Sequence, residues 1–272
     1  MIEKHMNSLS VWFFESLLKY GGICHFVSGR TGGFSSPPYN SLNLGFHVGD
    51  DPKKVLENRK VLASTLGISL DSFTFAEQIH DSRVRVVTEE LKSSGGVEYK
   101  TAIDATDALV TDVPNICIIV LLGDCVPILF FDVKQNVIGV AHAGWRGTVR
   151  LVAEKTIRVF QERFRSKLED IIVGIGPSIG PCCYEVGTEV VSQIENVFHG
   201  KAGYINSETS DGRCYLDLWE ANRAQLVKVG IPEGNIELSR ICTYCKHSLF
   251  FSRRHQRGET GRFGAGIMIK GL

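Results

Sequence analysis

The sequence predicts a mixed α/β fold, an α+β sandwich in which mixed sheets are flanked by helices. Apolar runs of strand length are concentrated in the middle of the chain, and most helical patterns follow them, unlike the regular alternation of a βαβ array. No repeat, long linker or low-complexity segment interrupts the 272 residues. We therefore expect one domain that spans residues 1–272 and buries a sizeable core.

The first third of the chain contains a strand, a long loop and a helix. The N-terminal segment is amphipathic and suits a first helix or strand, and residues 22–29 suit a strand. Residues 30–51 are rich in Gly, Ser, Pro and Asn, and a loop of this length in a compact domain is usually functional or disordered. Asp51 suits a helix N-cap and Pro52 the first helical position, and Gly67 ends this helix.

The remaining elements follow from apolar periodicity. Strands are predicted at 73–78, 84–87, 105–110, 116–121, 171–175, 236–238 and 266–269, with a hairpin formed by 127–132 and 137–142. Helices are predicted at 148–164, 187–197 and 216–229.

Charge and hydropathy limit the classes of partner and the location that we expect for the protein. The 30 basic residues balance the 30 acidic ones, so composition gives no electrostatic reason to expect nucleic acid or a membrane surface as a partner. The apolar runs are too short to span a bilayer, and the N-terminus lacks the pattern of a signal peptide. We therefore expect a cytoplasmic protein. Since no coiled coil is readable, we expect a monomer or a weak homodimer.

The most informative segment is the predicted hairpin between Gly123 and Gly147. Cys125 enters its first strand and His142 leaves its second, so the hairpin brings both side chains to the same end. A thiol beside an imidazole fits either a metal site or a Cys-His nucleophilic pair, and spacing alone leaves both interpretations open.

A third candidate ligand is His80, which follows a predicted strand and has polar neighbours. Two histidines and one cysteine would leave a fourth tetrahedral position open, as in a catalytic zinc site. Copper is the alternative metal, but nothing in the sequence suggests the additional imidazoles and axial methionine of a blue-copper centre. A packing role remains the alternative for each of the three side chains.

An anion site is predicted beside this hairpin. Arg146 lies between glycines just before a predicted helix start, where backbone N–H groups and a cation favour an anion. The glycine-rich run 174–180 could add backbone N–H donors. Neither segment matches a nucleotide-binding motif, and a tight turn with a surface arginine is the alternative.

Four of the eight cysteines lie in two further groups. Cys242 and Cys245 form a C-x-x-C pair followed by His247, which is half of a zinc site, but no second such pair exists. A closed structural zinc is therefore not expected here. Cys182 and Cys183 are adjacent and not expected to chelate one metal together, so we assign them to the core or a loop.

Several motifs together resemble a known family over residues 20–270. They are LNLGFHVGDD (42–51), EQIH (77–80), DALVT (107–111), GDCVPILFFD (123–132), AHAGWRGT (141–148), GIGPSIGPCCYEVG (174–187) and FFSRR…TGR (250–262). They resemble the YfiH/YlmD family, also called the laccase-domain or multicopper polyphenol oxidase family, with FAMIN as its mammalian relative.

The resemblance implies a zinc-dependent purine nucleoside enzyme. Members phosphorolyse adenosine, inosine and methylthioadenosine with phosphate as co-substrate, and they deaminate adenosine. The older functional description of the family is a copper-dependent polyphenol oxidase. The family zinc ligands correspond to His80, Cys125 and His142, so Cys125 belongs to both the metal site and the catalytic site. The family often has Gly after the first histidine, where this chain has Asp81.

The implied fold is also similar to the catalytic domain of cytotoxic necrotizing factor, a Cys-His deamidase, so a Cys-His hydrolase is a rival interpretation. For proton transfer in the deamination of adenosine we expect Asp124 first and Asp107 second. Arg146 is the first candidate for binding phosphate, Arg59 and His47 are weaker ones, and Asn43 in the loop 30–51 would contact the sugar.

Overall fold

The computed structural model describes residues 1–200, 203–206 and 213–271. Within them, two mixed six-stranded sheets pack face to face and helices cover their outer faces. The strands are β1 Ile2–Met6, β2 Leu9–Phe13, β3 Ile23–Ser28, β4 Phe73–Phe75, β5 Val84–Val86, β6 Ala108–Thr111, β7 Cys117–Leu122, β8 Val126–Asp132, β9 Val137–Ala143, β10 Ile171–Ile175, β11 Glu185–Val186, β12 Ile205–Asn206, β13 Cys214–Leu216, β14 Ile236–Leu238 and β15 Phe263–Ile269. The α-helices are α1 Glu15–Leu18, α2 Pro52–Leu66, α3 Trp145–Val149, α4 Val152–Phe164, α5 Thr188–Phe198, α6 Leu218–Lys228 and α7 Arg253–Gln256.

The two large sheets differ in strand order. The first runs β1-β2-β3-β15-β7-β4 and the second β14-β10-β8-β9-β6-β5, while β11-β13-β12 form a small third sheet. Strands β8 and β9 form the predicted hairpin at the centre of the second sheet, with Pro127 opposite His142. This confirms the predicted fold class of mixed sheets flanked by helices.

The central strands read as continuous apolar runs because both of their faces are buried. Along β8, Ile128 and Phe130 face the helices, whereas Leu129 and Phe131 face the other sheet. Successive side chains of a strand point to opposite sides, so one run supplies two layers of core. Helices α4, α5 and α6 pack on the second sheet, and α2 packs on the first.

The N-terminus, expected to form a first helix or strand, forms the hairpin β1–β2 followed by the short helix α1. Two predicted helices differ in the structure. The single helix predicted at 148–164 is two helices, because Leu151 adopts a left-handed conformation (φ 62°) between α3 and α4. The helix predicted at 216–229 begins only at Leu218, after strand β13, with Asp217 as its N-cap.

None of the helices in the described residues is both long and apolar enough to cross a membrane.

Candidate active site

Cys125 and His142 lie at one end of the β8–β9 hairpin. Cys125 immediately precedes β8, and His142 is the penultimate residue of β9. His142 is 3% exposed, and its Nδ1 atom lies 2.9 Å from Oδ1 of Asp107, which directly precedes β6. The carboxylate thereby orients the imidazole so that its other nitrogen faces the thiol of Cys125.

His80 reaches the same place from the loop after β4. Gln78 anchors this loop by exchanging two hydrogen bonds with the backbone of Leu121, at 2.8 and 2.9 Å. The backbone N–H of His80 donates to Oδ1 of Asp107 at 3.1 Å, and His80 adopts a positive φ of 60°. The ring centroids of His80 and His142 are 4.8 Å apart, so the loop places a second imidazole beside the hairpin.

The ligand atoms of His80, Cys125 and His142 all lie within 4.8 Å of one another. Two imidazole nitrogens and one sulfur are donors that zinc accepts, and three protein ligands leave a position for water or substrate. The contact of His142 with Asp107 is the outer-shell support that metal-bound histidines usually have. The donor chemistry therefore fits one zinc ion.

Charges in this group stabilise one another. Burial raises the pKa of the Cys125 thiol, but the charge and hydrogen bond of His142, together with those of His80, outweigh burial and lower the pKa to about 6. Burial lowers the pKa of His142, but the sulfur of Cys125 and the carboxylate of Asp107 outweigh it and raise the pKa overall. Without a metal, the pair therefore favours a thiolate and an imidazolium, and a bound cation would take the place of that proton.

The backbone is fitted closely around the sulfur. A Cβ atom at Gly144 would lie 2.9 Å from Sγ of Cys125 and 3.6 Å from Cδ2 of His80. Asp124, which precedes Cys125, adopts a positive φ of 102°, a conformation that is strained for a residue with a side chain. Both features indicate that the local backbone is shaped by the position of the thiol.

A cavity of about 720 Å³ opens above these three side chains. Five arginines line it, and Asp124 is the only carboxylate among the described lining residues. These arginines are Arg146, Arg253, Arg254, Arg257 and Arg262. In a chain without net charge, this local excess of cations makes the cavity suited to an anion.

Aromatic and apolar groups line other parts of the cavity. Trp145 and Tyr184 contribute rings, and the guanidinium groups of Arg146 and Arg254 lie over these rings at 4.4 and 5.2 Å. Such surfaces accept a flat heteroaromatic ring.

The structure brings some of the other predicted residues to the cavity. Arg146, Asp124 and His47 line it. Desolvation and the nearby charge of Arg262 lower the pKa of His47 to about 4, so its imidazole is neutral near pH 7. Asp124 accepts hydrogen bonds from Oγ1 of Thr243 and from the backbone of Arg254, both at 2.7 Å.

Arg59 and Asn43 have different surroundings. Arg59 is 2% exposed, donates to the backbone carbonyls of residues 44, 95 and 96, and lies against the rings of Phe46 and Phe75. Asn43 is fully buried, accepts from the backbone of Arg262 at 2.8 Å and donates to Asp50 at 2.9 Å. Both side chains therefore hold the loop 30–51 in shape, which leaves their donors unavailable to phosphate or sugar.

Asp107 is also fully engaged. Its two oxygens accept from the backbone N–H groups of Ile79, His80 and Asp81 and contact His142, and its side chain is 0% exposed. A carboxylate with four partners and no exposure positions other groups and is badly placed to exchange protons with a substrate.

The glycine-rich run 174–180 does not present the predicted anion donors. The backbone N–H groups of Gly176, Ser178, Ile179 and Gly180 donate to Pro127, Ile241, Asp124 and Cys242. They hold this loop against neighbouring segments, so they are not directed at a ligand.

Sequence reasoning missed four of the five arginines and Tyr184. The motifs FFSRR…TGR and GPCCYEVG contain Arg253, Arg254, Arg262 and Tyr184, but neither has a spacing that indicates an anion site. The density of arginine between residues 253 and 262 was the available signal.

The remaining cysteine pairs also differ from expectation. The sulfur atoms of Cys182, Cys183, Cys242 and Cys245 lie within 4.8 Å of one another. Cys182 and Cys183 thus supply the second pair of cysteines that the C-x-x-C motif lacked, although the two pairs are about 60 residues apart in sequence.

Comparisons with known proteins identify the family of the chain. Residues 24–270 match a family model described as multi-copper polyphenol oxidoreductase laccase. The chain is 40% identical over 248 residues to purine nucleoside phosphorylase YlmD of Geobacillus stearothermophilus, covering 91% of this chain and 90% of that protein. It is 38% identical over 232 residues to adenosine deaminase RL5 of an unknown prokaryotic organism, covering 85% of this chain and 88% of that protein. The crystal structure of Bacillus licheniformis hypothetical protein YfiH superposes with a TM-score of 0.90 at 39% identity, covering 97% of each chain.

Proposed function

Since the chain belongs to the multi-copper polyphenol oxidoreductase laccase family, we propose that it is an enzyme acting on purine nucleosides. Relatives named purine nucleoside phosphorylase and adenosine deaminase support this class of substrate. In finer detail, we propose a zinc-dependent phosphorylase for adenosine, inosine and methylthioadenosine that also deaminates adenosine.

The observation that carries the proposal is the combination within one cavity of three metal-ligating side chains and five arginines. Phosphorolysis needs a site for phosphate beside the nucleoside, and guanidinium groups bind phosphate through paired N–H donors. The rings of Trp145 and Tyr184 offer flat surfaces for the purine. A Cys-His hydrolase that acts on neutral substrates does not require five arginines beside its nucleophile.

The ligand set favours zinc over the copper of the older family label. A mononuclear copper site of two histidines and one cysteine usually has a weak axial methionine. No methionine is among the described residues that line the cavity. When bound, zinc would supply Lewis-acid activation of water or of a substrate oxygen.

The placement of the side chains supports a role for each of them. In phosphorolysis an oxygen of phosphate bonds to C1′ as the glycosidic C–N bond breaks, so the leaving base takes the electron pair and then a proton. We assign to Asp124 the transfer of that proton from solvent to the base, because Asp124 lies in the cavity wall whereas Asp107 is enclosed. Arg146 is exposed to the cavity and would hold phosphate.

The experiment is a product analysis of the purified protein with adenosine, with and without phosphate. We expect adenine and ribose 1-phosphate when phosphate is present, and inosine without it. His80→Ala serves as the comparison and should lose both activities. If no adenine, inosine or hypoxanthine forms at any zinc loading, the proposal is wrong.

A Cys-His hydrolase is the second candidate, supported by one specific arrangement. Cys125, His142 and Asp107 form a thiol–imidazole–carboxylate series, with 2.9 Å between the last two. A thiolate that is bound to zinc is a poor nucleophile, so the two candidates exclude each other at this sulfur. Unchanged zinc content in His80→Ala, together with rapid alkylation of Cys125, would favour the hydrolase.

A further inference from the structure

Four cysteines form a second cluster that the proposed reaction does not use. Cys182 and Cys183 lie in the loop after β10, and Cys242 and Cys245 lie in the loop after β14. Sγ of Cys245 is 3.6 Å from Sγ of Cys182 and 3.4 Å from Sγ of Cys183. All four sulfurs lie within 4.8 Å of one another, and all four thiols are free.

These distances match a single tetrahedral ion. A Zn–S bond of about 2.3 Å gives tetrahedral edges of roughly 3.8 Å between sulfurs. The closest pairs are already near that value, so small rotations of the side chains would complete the tetrahedron. Four sulfur donors and no oxygen donor select zinc or another soft metal over calcium or magnesium.

The surrounding backbone supports a thiolate. The N–H of Gly180 donates to Sγ of Cys242 at 3.3 Å, and Cys242 is 8% exposed. A buried thiolate ligand requires such N–H donors, because they stabilise its charge and fix its direction. Cys242 and Cys245 also have the two-residue separation of a zinc-binding C-x-x-C pair.

We propose that Cys182, Cys183, Cys242 and Cys245 bind a structural zinc ion, separate from the site formed by His80, Cys125 and His142. Each cysteine that enters the site as a thiol releases its proton to solvent, and no oxidation is involved. Four protein ligands close the coordination sphere, so this ion would have no position for substrate.

The proposed ion would join two loops that together form one wall of the cavity. The first loop carries Ile179 and Tyr184, and Tyr184 directly follows Cys183. The second leads to Arg253 and Arg254. These loops have little regular structure to join them, although a single β-bridge pairs Ser178 with Cys242.

One further bond links the cluster to the hairpin. Thr243, between the two cysteines of the C-x-x-C pair, donates from Oγ1 to Asp124 at 2.7 Å, and Asp124 precedes Cys125. The structural ion would therefore fix the position of the cavity wall and of Asp124. Because Asp124 is the proposed proton-transfer group, loss of the ion should lower kcat as well as raise KM for the nucleoside.

The test counts metal ions in the full-length protein and does not depend on its activity. We expect two zinc ions per chain in the wild type, measured by mass spectrometry of the metal content. Cys182→Ser/Cys245→Ser should retain one ion, and so should His80→Ala. Cys24→Ser, which removes a thiol outside both clusters, should retain two.

Cobalt substitution keeps the test decisive if the double variant does not fold. His80→Ala leaves all four cysteines of the second cluster intact and, loaded with cobalt, should show the intense sulfur-to-cobalt absorption of several thiolates. Absence of bound cobalt in this variant would overturn the proposal. So would iron or copper in place of zinc in the wild type, or a disulfide between the two loops in protein purified with zinc and reductant.

Discussion

Asp107 Oδ1 lies 2.9 Å from Nδ1 of His142, and the same carboxylate accepts the backbone N–H of His80 at 3.1 Å. One buried carboxylate thus supports two of the three proposed ligands, the ring of one and the backbone of the other. It is a positioning residue, and the precision of the site depends on it.

Asp107→Asn should weaken zinc binding about 10- to 100-fold, because an amide supports the imidazole less strongly and offers only one acceptor oxygen. Zinc affinity would be measured by competition with a chelator. Asp132→Asn is the matched control, since Asp132 is a fully buried carboxylate at the opposite end of the same hairpin. Equal losses in the two variants would show that Asp107 acts only on stability.

Gly144→Ala tests how closely the backbone fits the sulfur of Cys125. The added methyl group would lie 2.9 Å from Sγ, and relieving such a contact costs about 1–3 kcal/mol, so zinc affinity should fall roughly tenfold or more. Gly187→Ala is the control because both glycines are helix N-caps with similar backbone angles, and a Cβ at Gly187 has no atom within 4 Å. Normal zinc affinity in Gly144→Ala would contradict the described geometry.

More of the fold than of the candidate site could be predicted from the sequence. The apolar runs of β7 and β8 are long enough to identify as strands, and the turn between β8 and β9 gives their pairing, so Cys125 and His142 could be placed together. His80 lies 45 residues before Cys125, so its polar surroundings at a strand end made it only a candidate ligand, and the resemblance made it the preferred one. Its position depends on Asp107 and Gln78, whose bonds no local pattern encodes.

The arginines show most clearly what the sequence alone does not predict about the site. Arg59 lies in the middle of α2 and Arg146 near the start of α3, yet it is Arg59 that is enclosed between two phenylalanine rings and Arg146 that faces the cavity. Which of them is available to a ligand depends on tertiary packing of the loop 30–51. The four-cysteine cluster depends in the same way on contacts between two distant loops.

Arg146→Gln should separate the two proposed activities. Loss of a charge-assisted contact costs about 1.5–3 kcal/mol, so KM for phosphate should rise roughly 10- to 100-fold, whereas deamination of adenosine without phosphate should change little. Arg158→Gln is the control, because Arg158 lies on α4 and pairs with Glu154 at 2.7 Å. Equal impairment of phosphorolysis and deamination would argue that Arg146 binds the nucleoside.

His25 makes the stability of the protein sensitive to acid. It is 3% exposed, its Nε2 accepts the backbone N–H of Phe14 at 2.9 Å, and burial lowers its pKa to about 4. Since the unfolded chain binds this proton near pH 6.5, stability is full above that pH and falls as pH decreases towards 4, by roughly 3 kcal/mol. Protonation would also remove the acceptor for Phe14.

Urea unfolding between pH 7 and 4 in the presence of a chelator would measure this loss without a contribution from metal release. His25→Gln replaces a buried ring, so its unfolding free energy should be lower than that of the wild type at pH 7. Because glutamine keeps an acceptor that does not titrate, this free energy should decline less on acidification. His5→Gln, which changes a histidine whose side chain is 79% exposed, should follow the wild type. A decline in His25→Gln as steep as in the wild type would assign the acid sensitivity to other groups.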